Sequence, residues 1–397
     1  MIDATKKSGL IPYYLSFLFR YGFSIVQVLS VLYFHSKGFS YFDISIYMSI
    51  IALSTLIFEI PTSIFADKYG RKKSVIMGYI GTTIIFALYP FVEITPILLL
   101  MGFINGFFAT FASGSDTSLI VDNLKKKSYI QKYYVTITIL FKVAGIMQGV
   151  LGFIFLSIFK PDARVGNFLA IDYLWFIYAF AMLIATLIFV IGVKELNFKP
   201  SKEHSFKLSW ECIKYIIKQH NLRLIFLWKF FFFIVFYAWF FLYLPYLSSF
   251  GIEINKISLA YTLLFVVGLP FIWVGKKIFD KIKKEKPFLI MNYLAYFLFS
   301  ITVIFFNGKM FAYVYWYIKW NFAALFSPIE SSYQETFILS KFRSTTHSIQ
   351  TIVTSGGGAI GAFIGGLLLN NATPQYAIFY SSFLIIPVIV LVAFLKK

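Results

Sequence analysis

The chain has 397 residues, of which 59% are hydrophobic, 21% aromatic and 13% charged, about half the roughly 25% charged fraction of soluble domains. That balance excludes an ordinary soluble fold. The net charge of +19 lies mainly in short gaps between apolar runs, so it marks membrane orientation rather than a nucleic-acid surface.

A membrane-crossing helix needs about 20 mainly apolar residues at 1.5 Å rise each. On that rule the chain divides into spans at 10–34, 41–66, 74–92, 95–119, 133–158, 170–193, 222–248, 256–279, 287–306, 309–335, 345–370 and 374–395. The pattern predicts an all-α membrane protein of twelve transmembrane helices in two pseudo-symmetric six-helix bundles. An even count puts both ends on one side, and most of the 36 Lys and Arg fall in gaps on that side, so both termini are expected in the cytoplasm.

The first span follows Lys6 and Lys7, is too long for a signal-peptide core and is read as retained. It carries Arg20 and Tyr21 near mid-depth. Span two contains Glu59 and Pro61 and runs into Asp67-Lys68-Tyr69-Gly70-Arg71-Lys72-Lys73. A glycine able to turn the backbone, with cations that resist translocation on either side, predicts a tight cytoplasmic loop. Span four brings Asn105 and Asp116, with Asp122 just beyond.

The longest cytoplasmic gap, 194–221, is expected to link an N-terminal bundle at 1–193 to a C-terminal bundle at 222–397. Within it Trp210, Ile213, Ile216 and Ile217 share one helical face, and Lys207, Glu211, Lys214 and Lys218 the other, a pattern suited to the inner membrane surface or to a solvated linker. Span seven carries Lys229, and span ten carries Trp316, Lys319, Trp320 and Glu330. Span eleven is rich in glycine, which favours close helix packing or bending over ligand contact.

The two halves echo each other at a nearly constant offset. Asp67–Lys73 corresponds to Asp280–Lys286 with the glycine lost, Asp116 to Glu330, and Gly145 and Gly152 to Gly358 and Gly365. Agreement at several positions points to a tandem repeat, the plan of transporters whose halves alternate about a site.

Ser63-Ile64-Phe65-Ala66-Asp67-Lys68-Tyr69-Gly70-Arg71-Lys72-Lys73 resembles the loop signature between helices two and three of the major facilitator superfamily, with Ser63 where that signature begins with glycine. Phe58-Glu59-Ile60-Pro61-Thr62 is similar to a bacterial subset assigned to drug or macrolide efflux. Span five has Gly145, Gly149 and Gly152 but lacks the proline of the family's antiport signature. The resemblance implies that Asp67 faces the start of span eleven near Thr345, and that Arg71 reaches Asp116 or Asp122. Gly70 and Lys72 complete the gating loop.

Charged groups at mid-bilayer cost at least about 2.5–3.5 kcal/mol on insertion scales, so they usually face a partner or a cavity. The resemblance implies a central cavity lined by helices one, four, seven and ten, which carry Arg20, Asp116, Lys229, Lys319 and Glu330. Tyr21, Asn105, Trp316 and Trp320 are further cavity candidates. Glu59 and Asp116 are the candidates for a coupling proton. Cys212 is the single cysteine, and His35, His204, His220 and His347 show no metal spacing. Without a phosphate-binding glycine loop, the expected energy source is an ion gradient.

These features together predict a secondary active transporter of the bacterial cytoplasmic membrane, not an enzyme, without cofactor or metal and monomeric. Its partners would be a small-molecule substrate, protons and the lipid bilayer, with no nucleic acid. Proton-coupled export of a hydrophobic molecule or drug is the first expectation. Uptake of a small organic, possibly anionic, solute is the second, and a non-transporting sensor or membrane-embedded enzyme is remote.

Overall fold

The computed structural model describes residues 9–124, 127–196, 205–339 and 342–396. Lys6, Lys7, His204 and the Lys207 side chain lie outside what is described. Ten helices among the described residues are long and apolar enough to cross a membrane. The only strands among these residues are a short antiparallel pair, β1 (Arg164–Val165) and β2 (Phe168–Leu169).

The first predicted span is broken into α1 (Leu10–Gly22), α2 (Ile25–Val28) and α3 (Ser30–Ser36). The break frees the Tyr21 carbonyl, which accepts hydrogen bonds from Ser24 Oγ at 2.9 Å and Gln148 Nε2 at 2.6 Å. A buried carbonyl without such partners would be costly, so Gln148 is a structural prop for the interruption. Span two is one helix, α4 (Tyr41–Tyr69), and span three is α5 (Arg71–Leu88). Span four divides into α6 (Thr95–Ala112) and α7 (Ser115–Leu124) around Gly114, whose φ is 65°. Then follow α8 (Lys127–Ile158) and α9 (Asp172–Gly192).

Past the linker helix α10 (Ser205–Lys218) come α11 (His220–Ser249), α12 (Ile254–Ile282) and α13 (Glu285–Ile301). The series closes with α14 (Lys309–Glu335), α15 (Arg343–Asn371), α16 (Pro374–Ser382) and α17 (Ile386–Ala393). Helix α14 has the length of a span but is not among the ten.

The chain forms two compact units. The first comprises Met1–Lys37, Ile57–Glu203 and Ile254–Thr262; the second comprises Gly38–Leu56, His204–Glu253 and Leu263–Lys397. Small residues explain why the segments at 38–56 and 254–262 group as they do. In the second unit Gly366 on α15 lies against Ser45 on α4, and Ser49 Oγ donates to the Ala359 carbonyl at 2.7 Å. In the first, Gly149 and Gly152 on α8 admit Thr262 and Ser258 of α12.

Each unit has its own core. Tyr13, Val75, Tyr79, Leu119, Ile120 and Phe189 cluster in the first; Ile225, Trp228, Phe288, Leu289, Tyr293 and Val388 cluster in the second. Large apolar side chains such as Phe180 and Ile191 remain exposed, the surface expected where the solvent is lipid.

Helix α10 differs from the sequence expectation. Ile216 is buried with Cys212, Phe226 and Ile338, and Tyr215 donates to the Phe337 carbonyl at 2.7 Å. Trp210 and Ile217 are exposed. The four apolar residues therefore do not act as one face: one side of the turn packs on protein, the other does not.

Candidate functional site

The basic loop is shorter than its sequence suggests. Asp67, Lys68 and Tyr69 still belong to α4, Arg71 begins α5, and Gly70 alone makes the turn with φ 107° and ψ 139°. Only glycine tolerates that backbone readily. Starting a helix with Arg71, Lys72 and Lys73 sets cations against the positive end of the helix dipole. Glu195 offsets this: its carboxylate accepts from the Arg71 backbone N at 2.8 Å and from the Lys72 N at 3.3 Å. The Arg71 guanidinium pairs with Asp122, Lys72 Nζ donates to the Val190 carbonyl at 2.8 Å, and Asn123 Nδ2 donates to the Lys194 carbonyl at 2.7 Å. The loop, the end of α7 and the segment after α9 are thus tied by charge-assisted bonds.

Asp116, the other acid considered for Arg71, is taken by Arg20. Arg20 on α1 and Asp116 on α7 form a buried ion pair at 3.1 Å, and the guanidinium lies 4.4 Å from the Tyr79 ring centroid and 4.8 Å from that of Tyr21. The aromatic faces attract the cation electrostatically. Asp116 also accepts from the Thr117 N at 2.6 Å. Glu59 is 8% exposed, and its Oε1 accepts from Ser113 Oγ at 3.1 Å. Its Oε2 is buried with no hydrogen-bond partner among the described residues. Asn105 is buried and donates to the Tyr89 hydroxyl at 3.2 Å, a bond that joins α6 to the turn after α5.

In the second unit Lys229 on α11 lies 3.5 Å from Glu330 on α14, and it also donates to Gln334. Tyr293 donates to the other Glu330 oxygen at 2.7 Å, and Gln334 donates to Gln350 at 2.7 Å. This pair is therefore enclosed by polar partners.

Lys319, about three turns earlier on α14, is arranged differently. It is 3% exposed, donates to Ser300 Oγ and lies 3.7 Å from the Tyr296 ring centroid. Among the described residues it has no carboxylate partner. Ser300 is itself held, donating to the Tyr296 carbonyl at 2.5 Å while its own carbonyl accepts from Tyr315 at 2.9 Å. Trp239 lies 5.7 Å from the Lys319 ammonium, measured to the ring centroid. Trp316 stacks on Tyr243 at 5.6 Å, and Trp320 meets Tyr243 edge-on at 5.4 Å. The indole N–H groups of Trp239 and Trp316 are buried without acceptors among the described residues.

The sequence offered all the charges but few of their partners. Glu195 directly follows Lys194 after span six, and an acid in a basic gap was a usable signal. Tyr293, Ser300 and Gln334 sit in runs where no local pattern separates them from packing residues. Among the described residues no three His, Cys, Asp or Glu side chains converge as metal ligands would.

Over residues 13–337 the chain matches the family model described as the Major Facilitator Superfamily. It is 23% identical over 378 residues to YxaM, an MFS-type transporter of Bacillus subtilis (strain 168), across 92% of this chain and 90% of that protein. Its fold is similar to a crystal structure of the nucleoside transporter NupG in a mutant form, with a TM-score of 0.77, 15% identity, and coverage of 98% of this chain and 100% of that one. It is also similar to a POT family transporter in complex with 5-aminolevulinic acid, with a TM-score of 0.73, 14% identity, and coverage of 99% and 98%. At those identities the likeness to the solved structures is one of fold.

Proposed function

Because the chain belongs to the Major Facilitator Superfamily, we propose that it is a proton-coupled secondary transporter of a small organic solute, with twelve spans, both termini cytoplasmic and an alternating-access cycle. The observation that carries the coupling is Glu59. Asp116 is engaged by Arg20 and Thr117, and Glu330 by Lys229 and Tyr293. Glu59 has one buried oxygen without a partner among the described residues. Such a carboxyl has no fixed cation to hold its charge, so it can exchange a proton as water reaches it and leaves it. The loop containing Asp67 and Arg71 is assigned the inner gate, its contacts weak enough to release during the cycle.

Export of a hydrophobic molecule or drug is the first direction, supported by the likeness of Phe58–Thr62 to efflux proteins. Uptake of a small organic solute is the second, favoured by the buried Lys319 cation and compatible with the nucleoside and POT family transporters of similar fold. The test is accumulation of ethidium and of labelled uridine in cells with and without the protein, before and after an uncoupler collapses the proton gradient. Gradient-dependent loss of probe supports export, and gradient-dependent gain supports uptake. Glu59→Gln should abolish the gradient dependence at unchanged protein level. Coupling that persists in Glu59→Gln removes Glu59 from the mechanism, and no gradient-dependent flux of either probe argues against the proposed coupling and solute class.

A further inference from the structure

Arg20, Lys229 and Lys319 are three buried cations on the helices discussed above, and two of them are neutralised where they stand. Arg20 faces Asp116 at 3.1 Å and Lys229 faces Glu330 at 3.5 Å. Lys319 is the most deeply buried of the three, at 3% exposure, and no acid approaches it among the described residues. Its partners are a hydroxyl and two aromatic faces. An ammonium in that setting carries a charge that the protein leaves uncompensated, at a cost a membrane interior makes large.

The surrounding groups share one polarity. Ser300 has spent its proton on the Tyr296 carbonyl, and the Trp239 and Trp316 indoles offer N–H groups without acceptors. Indole is a donor only, and an ammonium has no acceptor capacity. What such a cluster lacks is a negatively charged acceptor. The rings beside Lys319 are Tyr296 and Trp239, and Trp239 continues at 6.1 Å to Tyr243, which stacks on Trp316 at 5.6 Å. Flat apolar faces of this kind complement another flat ring.

We infer that the Lys319, Ser300, Trp239 and Trp316 cluster of the second unit is a binding site for an aromatic organic anion, its carboxylate paired with Lys319. This rests on the transporter reading and narrows its solute class. Occupancy would complete the ion pair that the chain leaves open and satisfy the indole donors in one step. Arg20 and Lys229, already paired, would not be the primary anion contacts.

The test uses the full-length protein in lipid nanodiscs, without any gradient, and three probes that share one ring system and differ in charge. Indole-3-acetate is anionic, indole-3-acetamide neutral and tryptamine cationic. Binding is read by calorimetry. The expected result is that indole-3-acetate binds at least about tenfold more tightly than either analogue, the scale of one hydrogen bond to a charged group. Lys319→Met should erase that preference, and Lys319→Arg should keep part of it. Equal binding of the three probes, no binding of any at millimolar concentration, or an anion preference that survives Lys319→Met overturns the inference. If Lys319→Met fails to fold, Trp316→Phe serves instead: it removes the indole donor and should weaken the anion more than the amide, and equal weakening overturns the inference. Because binding is measured without a proton gradient and without transport, this outcome is independent of whether Glu59→Gln uncouples transport.

Discussion

Gly70 and Lys283 stand 213 positions apart at equivalent places in the repeat, and each turns the chain between two consecutive helices with a positive φ, 107° and 54° respectively. Lys283 is the only non-glycine residue with positive φ among those described. The two turns are not identical. Gly70 adopts ψ 139°, and α5 follows at once; Lys283 adopts ψ 14°, an ordinary left-handed conformation, and Lys284 then caps α13 in an extended one. The second turn is one residue longer, which explains how its glycine could be lost: a left-handed side chain costs roughly 1–2 kcal/mol, whereas the Gly70 geometry admits hardly any side chain.

Lys283→Gly should therefore stabilise the folded protein by up to about 1–2 kcal/mol, less the added chain entropy of glycine. Gly70→Ala should destabilise it, since its Cβ would also meet Glu195 Oε2 at 2.8 Å. Thermal unfolding in detergent micelles reads both, and opposite shifts are the expected outcome.

Glu195→Ala removes the acceptor for the first two backbone N–H groups of α5 and the carboxylate that offsets the cations at its start, leaving Asp122 on Arg71 as the remaining acid there. A loss of about 0.5–2 kcal/mol is expected, the range for a lost helix cap. Limited trypsin digestion should cut faster between Arg71 and Lys73 in this variant. Unchanged cleavage would show that the carboxylate does not restrain the loop.

The Arg20 and Asp116 pair tests how a buried ion pair is maintained. Arg20→Met strands a buried carboxylate and should cost about 3–5 kcal/mol, while Arg20→Met combined with Asp116→Leu should cost clearly less than the two single changes summed. Additive melting shifts in the four-member cycle would contradict the pairing.

Two glycines of α15 should respond oppositely to alanine. A Cβ at Gly361 would collide with the Ile234 backbone carbonyl on α11, which cannot move without shifting the helix. At Gly356 it would meet the flexible end of Leu56 at 3.2 Å. Gly361→Ala should destabilise by about 1–3 kcal/mol, whereas Gly356→Ala should be neutral or gain up to about 1 kcal/mol from helix propensity. Fluorescence-detected melting of the tagged protein distinguishes them.

On α10, neighbouring isoleucines should differ sharply. Ile216→Ser loses a side chain only 5% exposed and packed with Cys212, Phe226 and Ile338, and should cost about 2–4 kcal/mol; Ile217→Ser, at 55% exposure, should stay within about 0.5 kcal/mol. Equal effects on the melting temperature would remove the assignment of the two faces.

Much of the architecture was legible because hydropathy and loop charge are sums over neighbouring residues. The ten membrane-capable helices overlap ten of the expected spans, and Gly70 marks the turn where its conformational freedom predicts one. The interruption of the first span at Phe23 and Ser24 was hidden, since those residues sit in an apolar run, and the Gln148 side chain that stabilises the break comes from a helix more than a hundred residues later. Helix α14 lies where the tenth span is expected, although it is not among the ten membrane-capable helices.

By itself, the order of residues determined which segments are long and apolar enough to cross a membrane, where the basic turns lie and where charges interrupt apolar runs, because each depends on local transfer free energy and backbone freedom. Only the tertiary structure decided that Arg20 takes Asp116 and leaves Arg71 to Asp122, that Glu195 holds the start of α5, and that Lys319 is left with a hydroxyl and aromatic rings. Those choices depend on how each helix is rotated about its axis, and rotation is set by the packing of whole faces, which no single segment encodes.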